Sequence, residues 1–214
     1  MFTKLIPSKL IPAAAVLFAC QFALGYLFKY IGVQEGTILL SALRAFIMYG
    51  VIEELTKYGF ARLSFRKCEK LKKIDLMVLF GLVGMGYEVI ETLIIGNIIA
   101  GSIRGFFLAH VMYQFIMGHY FFESLYAKNN SDAAKAKKCF FLALFIPIII
   151  HGTNDFLAEL ITFTMNMEGF SGGTFTTAKL LMILINVALI ILNGGCLVWG
   201  IKLTKKDPEK EVSL

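Results

Sequence analysis

Glu53 and Glu54 are adjacent carboxylates at the end of an apolar run, and Lys57 follows one helical turn later. A charged side chain at bilayer depth costs roughly 2.5–3.5 kcal/mol on insertion scales. A chain that keeps two such acids side by side needs them for chemistry, proton handling or ion handling. On a helix Lys57 lies four residues after Glu53 and three after Glu54, so it can neutralise either. One acid of such a pair can stay an ionised base while the other carries a proton. Downstream, Glu91, His110 and His151 also fall inside apolar stretches. Glu88 precedes Glu91 by about one turn, and Arg104 in the following short connection can balance either acid. His110 and His119 are nine residues apart and so point to different faces of a helix. His110 is the one expected to face the site, because Gln114 and Gly118 continue a polar, closely packed stripe from it. Asp155 comes one turn after His151, where it can orient the imidazole. Asn154 offers an amide donor to a developing oxyanion. Helix-end snorkelling for Lys57 and ordinary packing for Glu88 are the blander accounts.

The elements that must position these groups are transmembrane helices. Of the 214 residues 57% are hydrophobic and the mean hydropathy is +0.72, more apolar surface than a soluble domain can hide. A span needs about 20 apolar residues. Six segments qualify: Leu10–Ile31, Ile38–Ala61, Ile74–Ile99, Gly105–Tyr126, Cys139–Ile161 and Lys179–Ile201. Most of the 21 lysines and arginines fall before the first span, in the second and fourth connections, and after the sixth span. With six spans all four segments lie on one side, which places both termini in the cytoplasm. The expected architecture is therefore all-α: a polytopic helical membrane protein with one transmembrane domain over residues 1–203 and a flexible cytoplasmic tail over 204–214. No cleavable signal peptide is apparent, since the first apolar stretch is about as long as a bilayer is thick. The net charge of +6 is explained by topology and does not indicate a nucleic-acid partner. Cys20, Cys68, Cys139 and Cys196 lack metal or disulfide spacing and are expected to be free thiols. Gly81, Gly84 and Gly86 suit close helix approach. Linear counting puts Glu53 in the cytoplasmic half and Glu91 and His110 in the outer half. Convergence therefore requires tilted or broken helices, and Gly81–Gly86 is the expected place.

Taken in order, these segments resemble the PrsW family of intramembrane proteases, within the superfamily that includes the CAAX prenyl endopeptidases. The resemblance runs from about Tyr49 to Asp155. Glu53-Glu54-Leu55-Thr56-Lys57 is similar to the EExxK of that family. Gly84-Met85-Gly86-Tyr87 followed by Glu91 is similar to its glycine-rich aromatic-xxx-Glu segment, with Tyr87 in place of the usual Phe and Thr92 where an Asn often follows. Arg104, His110 and Gly118 match its R…H…G pattern, and His151 with Asp155 its terminal H-x-x-x-D/N. The resemblance implies an enzyme that hydrolyses a peptide bond in a membrane-anchored protein, with an anti-sigma factor as one substrate. It implies Glu53, alone or with Glu54, as general base. His151 with Asn154 or Asp155 would stabilise the oxyanion, and Glu91 and His110 would position the water. A second version holds zinc among Glu91, His110 and His151, a two-histidine, one-carboxylate set. The sequence leaves the metal-free and zinc mechanisms open, the metal-free one being favoured. The substrate, the oligomeric state and whether the chain is catalytically active are also left open.

Two other classes use similar residues. A small proton-coupled transporter would also carry intramembrane Glu and His, but it would typically show two related halves, and none is visible. A non-catalytic membrane scaffold or immunity protein could retain the same fold.

Overall fold

The computed structural model describes residues 37–65, 68–95, 109–165 and 177–213, excluding the side chains of 90–95 and 162. The expected first span, Leu10–Ile31, Cys20 and the connection carrying Arg104 lie outside the described residues.

The described chain is almost wholly helical. Helix α1 (Ile38–Leu43) starts at Thr37, whose hydroxyl accepts from the Leu40 amide at 3.3 Å. The winding then widens into a π-helix over Arg44–Glu53 and returns to α geometry in α2 (Glu54–Phe65). A short strand β1 (Lys70–Lys72) leads into α3 (Lys73–Ile95). Then come α4 (Ala109–Asn129), α5 (Ala133–Met165), α6 (Thr177–Lys205) and β2 (Glu211–Ser213). Ser131, with φ of 60°, makes the left-handed turn between α4 and α5, and Asp132 Oδ1 caps α5 by accepting from the Lys135 amide at 3.0 Å.

Among the described residues one helix, α6, is long and apolar enough to cross a membrane by length and composition. Ile183, Leu184, Ile190, Ile191 and Val198 along it are exposed. Helix α4 is the hub. Nearly every side chain from Ala109 to Phe122 is buried, because α3, α5 and α6 all pack on it. Tyr58, Phe65, Phe80 and Phe121 form an aromatic core joining α2, α3 and α4, with Tyr58 and Phe121 edge to face at 5.3 Å. Each such ring contributes about 1.5–3 kcal/mol by burial.

Two expectations are corrected. Helix α3 runs unbroken through Gly81 and Gly84. The irregular segment is instead the π-helix that ends at Glu53, the kind of distortion that recurs at functional sites. The tail beyond Thr204 is not free either: β2 pairs antiparallel with β1, matching Leu71 to Val212, and both side chains are buried. The polar ends of this ribbon are also fixed. Asn129 donates to the Ser213 carbonyl at 2.7 Å, Lys73 donates to the Lys206 carbonyl, and the Lys210 ammonium lies 3.6 Å from the Tyr126 ring centroid. Burial holds the Lys73 ammonium below its usual pKa.

Candidate active site

The π-helix and α5 cross closely enough that a Cβ on Gly50 would lie 3.0 Å from the Ile148 carbonyl oxygen. A Cβ on Gly152 would lie 2.5 Å from the Phe46 ring. The absence of side chains at Gly50 and Gly152 lets the backbones approach, and the approach sets Glu53 and Glu54 against His151. On the other side, a Cβ on Gly84 would sit 2.4 Å from the His110 carbonyl oxygen. Gly84 thereby lets α3 reach the start of α4. Gly84→Ala is expected to part these helices and lower activity at least 10-fold with the chain still folded. Turnover measured alongside helical content checks this.

The two neighbouring acids have different surroundings. Glu54 is wholly buried and receives three donors: Lys57 Nζ at 2.9 Å and His151 Nδ1 at 2.8 Å on Oε1, and Gln114 Nε2 at 2.5 Å on Oε2. Its charge is matched within the protein. The Glu53 side chain keeps 10% of its surface exposed, with Oε2 3.3 Å from Lys57 Nζ and 3.9 Å from His151 Nε2. Of the pair, only Glu53 keeps any exposed side-chain surface.

Lys57 also lies 2.9 Å from His110 Nδ1. An ammonium only donates, so Nδ1 accepts and the His110 proton belongs on Nε2, which faces Glu88 Oε2 at 3.8 Å. The His151 ring stands between Glu54 on Nδ1 and Asp155 on Nε2, the latter at 3.3 Å. The two imidazoles meet edge to face with centroids 4.8 Å apart.

The structure thus brings together Glu53, Glu54, Lys57, Glu88, His110, His151 and Asp155, with Asn154 beside them. It leaves His119 out: that ring is buried against Tyr120. The Glu91 side chain and all of Arg104 lie outside the described residues. Gln114 and Asn193 enter the cluster with contacts that spacing did not assign. Asn193 donates to Asn154 Oδ1 at 2.7 Å. Its sequence signal is a polar residue interrupting the apolar run of α6, the same kind of signal that marked Glu53.

Glu53, His110 and His151 each offer one ligand atom, all within 4.8 Å of one another. This donor set suits a zinc-like ion, and Glu54 on His151 Nδ1 is the outer carboxylate such a histidine needs. Lys57 stands against two of the three ligand groups, so an ion held there requires its ammonium to turn toward Glu54. Among the described residues the carboxylate of this set is Glu53; the Glu91 side chain, which the sequence suggested, lies outside them.

A family model described as PrsW family intramembrane metalloprotease matches residues 8–192. Neither a curated protein nor a solved structure matches the chain.

Proposed function

Because the chain belongs to the PrsW family of intramembrane metalloproteases, we propose that it hydrolyses a peptide bond in a membrane-anchored protein at the cluster centred on Glu53. The observation that carries this reading is the contrast between the two acids. Glu54 is wholly enclosed by three donors, while Glu53 lies against Lys57 and His151 and keeps a tenth of its side-chain surface exposed. Glu53 draws a proton from water, and its position beside His151 keeps the nascent hydroxide close to a second polar group. Glu54 holds Lys57 and His151 in place. Lys57 holds His110 through Nδ1. His151, with Asn154 behind Asp155, faces the oxyanion as the carbonyl becomes tetrahedral. If the family's metal is present, Glu53, His110 and His151 hold it, and it supplies Lewis-acid activation of water.

The substrate enters from the bilayer, and a membrane-anchored anti-sigma factor is the class we expect. The six-span topology with cytoplasmic termini belongs to the same proposal. Its support is that β1, β2 and the ends of α4 and α6, all flanked by lysines, meet at one end of the helices. One helix with an exposed apolar surface, α6, supports membrane embedding.

The test is the metal content of the purified wild type and of a His110→Ala, His151→Ala double variant, measured together with cleavage of a membrane-anchored reporter. About one zinc per active chain, lost with cleavage in the variant, supports the metal version. An active wild type without metal supports Glu53 acting alone. A folded wild type that cleaves nothing contradicts the proposal.

A further inference from the structure

The Asn154 amide lies between Asn193 and Asp155, and the donors and acceptors around it leave one orientation. The fixed point is the Leu189 carbonyl oxygen, which can only accept. Asn193 Nδ2 lies 2.9 Å from it, so the nitrogen of that amide is identified by its backbone partner. Asn193 Oδ1 then faces the Tyr113 hydroxyl, which donates at 2.9 Å. The other hydrogen of Asn193 Nδ2 goes to Asn154 Oδ1 at 2.7 Å. With its oxygen so engaged, Asn154 turns its Nδ2 toward Asp155 Oδ1, 3.4 Å away. Asp155 Oδ2 in turn lies 3.3 Å from His151 Nε2. Asn154 and Asn193 are almost completely buried, so each misdirected amide dipole would be left without solvent to correct it.

We propose that Asn193 is a positioning residue: helix α6 fixes, through its Leu189 carbonyl and Asn193, the direction of the Asn154 amide, hence the donor that Asp155 receives and, through Asp155, the setting of His151. Asn193 lies one position beyond the segment matched by the family model. The inference rests on the protease reading for its kinetic consequence but not for the contact chain itself. With Asn193 removed, Asn154 is free to present its oxygen to Asp155 Oδ1, where a donor is needed.

The test is a double-variant cycle with Asn193→Leu and Asn154→Leu, which keep the branched skeleton of Asn and remove its polar atoms. In the wild-type background Asn193→Leu is expected to lower kcat 10- to 100-fold with KM within about 2-fold, a split that packing damage alone would not produce. In the Asn154→Leu background the same change is expected to lower kcat by less than 2-fold, because the residue it acts through is gone. Equal loss in both backgrounds, or no loss in the first, overturns the inference. The thermal midpoints of the same four proteins give a reading without cleavage. The midpoint should fall in Asn193→Leu, and the double variant should fall by less than the sum of the two single variants, since removing both partners of their shared hydrogen bond leaves neither end of that bond unmatched. A wild type that cleaves nothing sinks the protease reading alone; the inference is then decided by the midpoints, and additive midpoints would overturn it.

Discussion

Glu53→Gln is expected to leave the protein folded and to lower its turnover about 10³-fold, within the 10²–10⁴ that a positioned general base contributes. The substitution keeps the shape of the side chain and an oxygen for Lys57, now 3.3 Å from Glu53 Oε2. Glu54 remains to balance the buried ammonium, so stability should change by no more than about 1 kcal/mol. What is lost is the basic oxygen at the edge of the cluster. The same change weakens the Glu53, His110 and His151 donor set, so both versions of the mechanism share this expectation. Initial rates on a membrane-anchored reporter, with thermal midpoints of both proteins in the same detergent, check it. Turnover within a few-fold of wild type would assign the base elsewhere.

Glu54→Ala is expected to do the opposite kind of damage, although the two residues are adjacent. Glu54 has no exposed surface, and neither has Lys57. Removing the carboxylate takes from the buried ammonium its closer acid, leaving it Glu53 at 3.3 Å, and removes the acceptor of Gln114 Nε2 and His151 Nδ1 at once. Breaking one side of a buried pair costs about 3–5 kcal/mol, a large part of the stability of most domains. The informative companion is Glu54→Leu with Lys57→Met. Replacing a whole buried pair by apolar groups of similar volume is often neutral for stability, so the thermal midpoint should recover most of the loss. Activity should not recover, because Lys57 holds His110 and Glu54 holds His151. Thermal melts followed by helical content, with cleavage measured on the folded fraction, separate the two effects. A midpoint unchanged in Glu54→Ala would show that the buried pair does not hold the site together.

The chemistry of this site was more legible in the sequence than its geometry. Charges inside apolar runs are conspicuous because lipid tolerates them poorly, and this singled out Glu53, Glu54, Lys57, His110 and His151. Helical spacing also put Lys57 within reach of both acids and Asp155 on the face of His151, as found. Spacing within one helix says nothing about what lies across a helix interface. Gln114 on Glu54 and Asn193 on Asn154 are such cross-helix contacts. The glycines were legible as places of close approach. That they serve an intact α3 rather than a break depends on His110 and Phe115 pressing against Gly84 and Gly81. The π-helix over Arg44–Glu53 has no composition signal of its own; it lies where the chain crosses α5 closely at Gly50 and Gly152, a contact between distant segments. The tail misled because its charges suggest solvation, while the alternation around Val212 that pairs it with Leu71 is only three residues long.

The most direct test of the central claim uses no assumed substrate. Purified wild type and Glu53→Gln are each reconstituted into liposomes with a membrane-protein extract, and newly formed protein N-termini are identified by mass spectrometry. The account predicts new termini within or beside apolar spans in the wild-type sample and none of them with Glu53→Gln. Identical termini in both samples, or none from a folded wild type, would contradict it.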